Sequence, residues 1–226
     1  ETQSEHEACK KRWGKTPLQI LDRYGVWDTR AIAAHCVWTT EEDWALMAEK
    51  GVSCIHNPVS NLKLGSGVAW IPAMKRAGVN IALGTDGVSS NNNHDMFEEM
   101  KFAAILHNGV THDPLALLPR QVLAMASRDG ARALGRRTGQ IVPGYTADLI
   151  LVDFDRPSLT PCHSVEDNLV YSARGSDVVM NMARGKIIYK DGTFFTLDLE
   201  RIKAEVETYA LPLLFGDGAS LADRRN

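Results

Sequence analysis

Val79-Asn80-Ile81-Ala82-Leu83-Gly84-Thr85-Asp86-Gly87 is a short apolar run that ends in a carboxylate. The run reads as a strand, and the turn residues after it read as the end of one strand–helix unit. Two earlier stretches have the same form. Ala31-Ile32-Ala33-Ala34-His35-Cys36-Val37 is followed by Thr39-Thr40-Glu41-Glu42, where a threonine cap precedes acids favoured at a helix N-terminus. That helix is predicted to reach Lys50, with Gly51 ending it. Val52-Ser53-Cys54-Ile55-His56 is broken by Asn57-Pro58, and Ser60 to Gly67 reads as a loop leading to a helix that ends near Ala77-Gly78. The alternation from Ala31 to about Gly109 is that of an α/β protein. Units this short place their strands parallel and join them by right-handed crossovers.

Further along, Asp95 to Leu106 carries Met96, Phe97, Met100, Ala103 and Ala104 near helical spacing, and Pro119 to Leu134 repeats the habit. After Arg137 the texture changes: Gly139 to Gly144 is turn-rich and Ala147 to Asp153 is a dense aliphatic strand, which places a boundary near Thr138. Val178 to Tyr189 reads as two strands around Arg184-Gly185, and Asp191-Gly192 as a further turn. Leu197 to Leu211 suggests a closing helix, and the small, polar residues 216–226 are expected to fray.

Composition removes several classes of function. The 226 residues are 44% hydrophobic and 23% charged, enough for a sizeable core. Lys and Arg number 25 against 28 Asp and Glu, a net charge of -3, so no basic field exists to hold nucleic acid. Cys9, Cys36, Cys54 and Cys162 form no CxxC pair, which argues against a zinc ribbon or a secreted disulfide framework and fits a reducing cytoplasm. No run of about 18 apolar residues could span a bilayer, and Glu1-Thr2-Gln3-Ser4-Glu5 is unlike a signal peptide. The chain opens at Glu1, in what reads as the start of a helix, and truncation is expected.

The chemistry lies in where the polar residues fall. His35, His56 and Asp86 each stand at or near the C-terminal end of an apolar run, and in a parallel barrel those ends share one mouth. A carboxylate there is expensive unless a metal, a cation or hydrogen bonds receive it. Taken singly, each has a plainer reading: Asp86 as a turn or cap residue, His35 as a buried imidazole, and His56 as a strand-end residue that sets the Asn57-Pro58 loop. His94, His107 and His112 read as solvent-facing, and His6, His163 and the cysteines receive no role.

Taken together, the words Ala34-His35-Cys36, His56-Asn57-Pro58-Val59-Ser60-Asn61-Leu62-Lys63-Leu64-Gly65-Ser66-Gly67 and Gly84-Thr85-Asp86-Gly87-Val88-Ser89-Ser90-Asn91-Asn92 resemble, in order, the methylthioadenosine/S-adenosylhomocysteine deaminases of the metal-dependent amidohydrolase superfamily. Phe97-Glu98-Glu99-Met100, Gly139 to Gly144, Ala147-Asp148-Leu149 and Asn168-Leu169-Val170-Tyr171 extend the resemblance over nearly the whole chain. It implies the C-terminal half of a TIM-type (β/α)8 barrel in 1–138, part of a small β-sandwich domain in 139–195, and a C-terminal helix and tail in 196–226.

The resemblance also implies one divalent metal, zinc or iron, held by an HxH pair, the histidine of an HxxET motif and an aspartate after the last barrel strand. Asp86 matches that aspartate. Glu1-Thr2 resembles the last two letters of HxxET, which puts the remaining ligands outside this chain. One carboxylate cannot make a zinc site, so the chain alone is expected neither to hold the metal nor to react. The implied reaction is hydrolytic deamination of an adenine ring, with Asp86 on metal and proton, Glu1 at the ring nitrogen, His35 on the attacking oxygen and Ser90 as a substrate contact. A small purine nucleoside is the implied substrate, and a homo-oligomer is expected. Two other readings stand beside it. One is a guanine or triazine-type hydrolase. The other is a non-catalytic fragment or assembly module, whose open strand edges would invite pairing with another chain.

Overall fold

The computed structural model describes residues 1–216, so most of the segment expected to fray lies outside the described residues. The chain divides into two compact units, one of Glu1–Ala147 with Asp153–Asp177, the other of Asp148–Val152 with the residues from Val178 onward. The division falls at Ala147 rather than near Thr138, and the chain returns to the first unit before the second is finished.

In the first unit come the helices α1 (Gln3–Trp13) and α2 (Pro17–Arg23), the strand β1 (Ile32–Ala34), the helix α3 (Glu41–Lys50) and the strand β2 (Ser53–His56). The helices α4 (Pro58–Lys63) and α5 (Ile71–Arg76) precede β3 (Ile81–Leu83), and α6 (Val88–Asn91), α7 (Met96–Thr111), α8 (Pro119–Ala126) and α9 (Arg128–Ala133) follow it. β1, β2 and β3 form a parallel sheet in that order, with Ala34 opposite Ile55 and His56 opposite Leu83. The cap of α3 is as expected: Thr40 Oγ1 accepts from the Asp43 amide, and Gly51 closes the helix in the left-handed region.

Two helical expectations are corrected. Ser60 to Gly67 is not all loop, because Pro58 occupies the first turn of α4, where a missing N–H is harmless and a fixed φ is already helical. Pro119 to Leu134 is not one helix, since Ser127 leaves helical geometry at φ -132 and ψ -89. The Ser127 hydroxyl donates back to the Leu123 carbonyl at 2.6 Å, the kind of bond that bends helices.

α5, α7, α8 and α9 all pack on β3, whose three residues are buried. The core around them includes Met47, Val52, Cys54, Ile71, Met74, Ile81, Leu117, Val122 and Met125, none more than 1% exposed. The segment after the second unit's first strand contributes α10 (Val165–Tyr171), which packs on α7 and α8 and buries Val170 completely. That burial is why residues expected to belong with the sheet domain join the first unit.

The second unit holds β4 (Leu149–Val152), β5 (Val178–Ala183), β6 (Lys186–Lys190) and β7 (Thr193–Phe194), an antiparallel sheet in sequence order. Arg184 and Gly185 turn β5 into β6, and Asp191 and Gly192 turn β6 into β7, each pair with both φ positive. α11 (Leu199–Glu205), a π-helical stretch Val206–Ala210 and α12 (Leu211–Phe215) end the described chain. Among the described residues no helix is long and apolar enough to cross a membrane, and all four cysteines are free.

Candidate active site

β1 and β3 finish in the same way. Beyond β1, the His35 amide still donates to the Ile55 carbonyl at 2.9 Å, after which His35 and Cys36 take φ of 67° and 50°. Beyond β3, the Gly84 amide donates to the His56 carbonyl at 3.0 Å, and Asp86 takes φ of 59°. Positive φ is costly for residues with a Cβ, on the order of 1–3 kcal/mol each, and persists where the surroundings demand it. Gly84 is required by close approach: a Cβ there would stand 2.4 Å from Asn57 Oδ1 and 2.8 Å from the Ile55 side chain.

The strand ends are joined by the first turns of α4. Ser60 donates its hydroxyl to Asp86 Oδ2 at 2.7 Å, and the next residue, Asn61, has Oδ1 2.8 Å from Nδ1 of His35. With that oxygen facing it, Nδ1 carries a hydrogen, and Nε2 is the nitrogen turned to other partners. Nε2 lies 3.5 Å from Glu1 Oε2, while Glu1 Oε1 accepts from the Ser66 hydroxyl at 2.6 Å. Ser90, on α6, gives Asp86 Oδ2 a second hydroxyl at 2.7 Å. These donors, Ser60 first and Ser90 next, pull the Asp86 carboxyl down to about 2, with His35 adding a smaller attraction. Asp86 is therefore ionised at any ordinary pH.

Glu1, His35, Asp86 and Ser90 thus belong to one linked rim, with His35 and Asp86 just past the C-terminal ends of β1 and β3, Ser90 on α6 and Glu1 ahead of α1. An apolar cavity of about 300 Å³ opens beside Glu1, walled by Leu18, Trp27, Ile32, Val37 and Trp38 among others. Glu1 lines it but neither His35 nor Asp86 does, so the cavity meets the rim only at Glu1.

The other histidines divide. His94 and His112 are exposed, but His107 is 2% exposed and not solvent-facing. It continues the inner face of α7 that Met100, Ala103 and Ala104 begin, a spacing legible in the sequence. His107 Nε2 lies 3.2 Å from Nε2 of His56, which is fully buried at the end of β2. Burial holds His107 down to about 4 and His56 well below its usual value, His107 and His35 adding to the effect on His56, so the pair stays neutral.

Ser60, Asn61 and Ser66 lie within the family word, but nothing in the sequence singles them out for a role. Their signal is weak, since serine and asparagine beside a proline read first as turn residues. Glu99 is equally inconspicuous along the chain. It is fully buried on α7, accepts from the Val59 amide at 3.3 Å and from the Asn91 side chain, and burial raises its carboxyl to about 7.

A divalent ion needs anionic or imidazole donors that converge. Among the described residues no group of three or more His, Cys, Asp or Glu could hold one. Asp86 fits a single ligand: it is ionised, it stands at the rim, and its Oδ2 is already oriented by two hydroxyls. The residues present therefore fit one corner of a metal site and no more.

A parallel α/β sheet with an acid–imidazole–acid rim beside its C-terminal edge defines a class of fold, the TIM-barrel-type fragment. Residues 1–188 match the Amidohydrolase family, and the chain belongs to it. It is 50% identical over 208 residues to a 5-methylthioadenosine/S-adenosylhomocysteine deaminase of Moorella thermoacetica, covering 91% of this chain and 49% of the relative. It is 48% identical over 214 residues to a 5'-deoxyadenosine deaminase of Methanosarcina mazei, covering 95% and 50%. A solved adenosine deaminase from Xanthomonas campestris with bound zinc superposes at a TM-score of 0.87 with 40% identity, covering 91% of this chain and 47% of that one. The chain spans about half the length of the curated relatives it matches.

Proposed function

We propose that the protein containing this chain hydrolytically deaminates the adenine ring of a 5'-modified adenosine such as 5-methylthioadenosine or S-adenosylhomocysteine. The single observation that carries the reading is the rim itself, where Asp86 and His35 are held by consecutive residues of α4 and His35 faces Glu1. Identities of 48% and 50% to deaminases of adenosine derivatives support it. In this reading the three parallel strands and their helices belong to the C-terminal half of a (β/α)8 barrel, the four-stranded sheet is one layer of a composite β-sandwich, and the half of the relatives' length that this chain does not span completes both.

Asp86 would be one ligand of a divalent ion, zinc or iron, whose other ligands come from outside this chain. Bound there, such an ion supplies Lewis acidity that makes a water molecule acidic enough to attack at neutral pH. Asp86, unprotonated at that pH, accepts the proton the water gives up. Glu1 hydrogen-bonds or protonates the ring nitrogen beside the attacked carbon, drawing electrons away from it. His35, its Nδ1 braced by Asn61, turns Nε2 to the attacking oxygen and stabilises the charge developing there by donating an Nε2–H. Asp86 passes its proton to the amino group, which leaves as ammonia, while the ring keeps the oxygen as a carbonyl and the second proton of the water restores the one Glu1 gave to the ring nitrogen. Ser90 holds Asp86 and contacts the substrate beside it.

The test is ammonia release by the full-length encoded protein on 5-methylthioadenosine, S-adenosylhomocysteine, adenosine, guanine and a chlorotriazine. Adenosine derivatives are expected to lead, and Asp86→Asn to lower kcat by about 1,000-fold or more. Preference for guanine or the triazine would refute the substrate class.

A further inference from the structure

We infer that Glu99 is a positioning residue, a buried carboxylate on α7 that sets the orientation of Asp86 by fixing the backbone on both sides of the Ser60–Asp86 hydrogen bond. It rests on the deaminase reading only for its effect on rate.

Glu99 has no exposed surface and stands near the start of α7, between Phe97 and Met100 on the face turned to the core. A carboxylate is costly to bury unless donors receive it. Each of its oxygens has one. Oε2 accepts the Val59 amide at 3.3 Å, and Val59 is the residue immediately before Ser60. Oε1 accepts from Nδ2 of Asn91, whose same nitrogen donates to the Thr85 carbonyl at 2.6 Å, and Thr85 is the residue immediately before Asp86. One carboxylate therefore anchors, one residue away, both the donor and the acceptor of the bond that orients Asp86.

The amide orientation of Asn91 follows from the same geometry. Turning it over would set its oxygen against the Thr85 carbonyl and the Glu99 carboxylate, three acceptors with no hydrogen among them. The backbone of Asp86 sits at φ 59°, a region that aspartate tolerates at some cost, so anchoring the residue before it helps to hold it there. Glu99 makes no hydrogen bond to Asp86; beside a small direct repulsion between the two carboxylates, its hold on Asp86 passes through Val59 and Asn91.

Well above pH 7, where Glu99 is ionised, Glu99→Gln is the informative substitution, because glutamine has one acceptor where the carboxylate has two. Its amide nitrogen must face either the Val59 N–H or the Asn91 NH2, and one of the two ties is lost. Crystal structures of the full-length protein and of its Glu99→Gln variant read the consequence without any catalysis. The expected result is that the Asp86 carboxylate leaves Ser60 in the variant. An unchanged Ser60–Asp86 bond near 2.7 Å overturns the inference whatever the enzyme does.

The kinetic arm compares Glu99→Gln, Ser60→Ala and the double variant on the best adenosine derivative. Glu99→Gln is expected to lower kcat about 10- to 100-fold with KM little changed, the size seen when outer supports of a ligand are removed. The double variant is expected to fall no further than the more damaged single one, since both act through one bond. Losses that multiply in the double variant would show that Glu99 acts by another route. If the wild-type protein deaminates no substrate, the deaminase reading fails while the structural comparison still decides the role of Glu99.

Discussion

Ser60 and Asp86, 26 positions apart in the chain, are joined by a 2.7 Å hydrogen bond that links the helix after β2 to the end of β3. Together with the Ser90 hydroxyl, the bond keeps the Asp86 carboxyl ionised down to a pH of about 2. Because its proton affinity is depressed in the folded state, its contribution to stability is complete above the ordinary carboxylate range and is lost as pH falls toward that value.

Ser60→Ala removes the larger of the two hydroxyl donors and leaves Ser90. Asp86 is expected to titrate higher, between about 2 and the usual 3.8, as read by carboxyl carbon NMR. In the full-length protein kcat should fall about 10-fold, the scale of one hydrogen bond to a charged group. An unmoved Asp86 titration would mean that Ser90 alone holds the carboxylate.

Acid stability should show two opposing contributions. The unfolded chain binds protons on histidine from about pH 6.5, whereas folded His107 refuses one until about 4, so stability falls with pH across that window by something on the order of 3 kcal/mol. His56 adds in the same direction. Glu99 runs the other way, taking a proton near 7 when folded but only near 4.5 when unfolded, so its contribution rises as pH falls between those values. Glu99→Gln deletes the offsetting half. Its urea midpoint is expected to drop more steeply than that of the wild type from pH 6.5 to 4.5, and parallel curves would contradict the assignment.

Two glycine substitutions should move in opposite directions. Gly84→Ala puts a methyl 2.4 Å from Asn57 Oδ1 and 2.8 Å from Ile55, and is expected to destabilise by about 1–3 kcal/mol and to disturb Asp86 two residues on. Gly109, inside α7, has open space where a methyl would stand, with nothing within 4 Å, so Gly109→Ala should stabilise by up to about 1 kcal/mol. Thermal unfolding of both, side by side, checks the pair; destabilisation by Gly109→Ala would show crowding that the geometry denies.

Zinc binding offers a test that needs no substrate. Asp86→Ala in the full-length protein is expected to lower zinc affinity by at least about 10-fold in competition with a chromophoric chelator, while Glu98→Gln, turned away from the inner face of α7, should leave it unchanged. Equal affinities for the wild type and Asp86→Ala would remove Asp86 from the ligand set.

The parallel strands and the cap of α3 are legible in local signals: a run of aliphatics, a threonine before acids, a glycine after a lysine. The grouping of His35 with Asp86 follows from strand periodicity, because side chains at the C-terminal ends of parallel strands share an edge whatever lies between them. The break at Ser127 and the helix at Pro58 go the other way, since a short polar stretch offers several local hydrogen-bond schemes and packing selects one.

What the amino-acid order determined by itself was the kind of protein: short alternating units, a carboxylate after a buried strand, and words specific enough to mark a family. What only the tertiary structure decided was who holds whom. Ser60, Asn61, Asn91 and Glu99 are ordinary turn, cap and helix residues when read along the chain, and His107 looks like a surface imidazole. Their partners lie up to 51 positions away, and a hydrogen bond depends on ångström-scale distance in space, which adjacency in sequence does not encode.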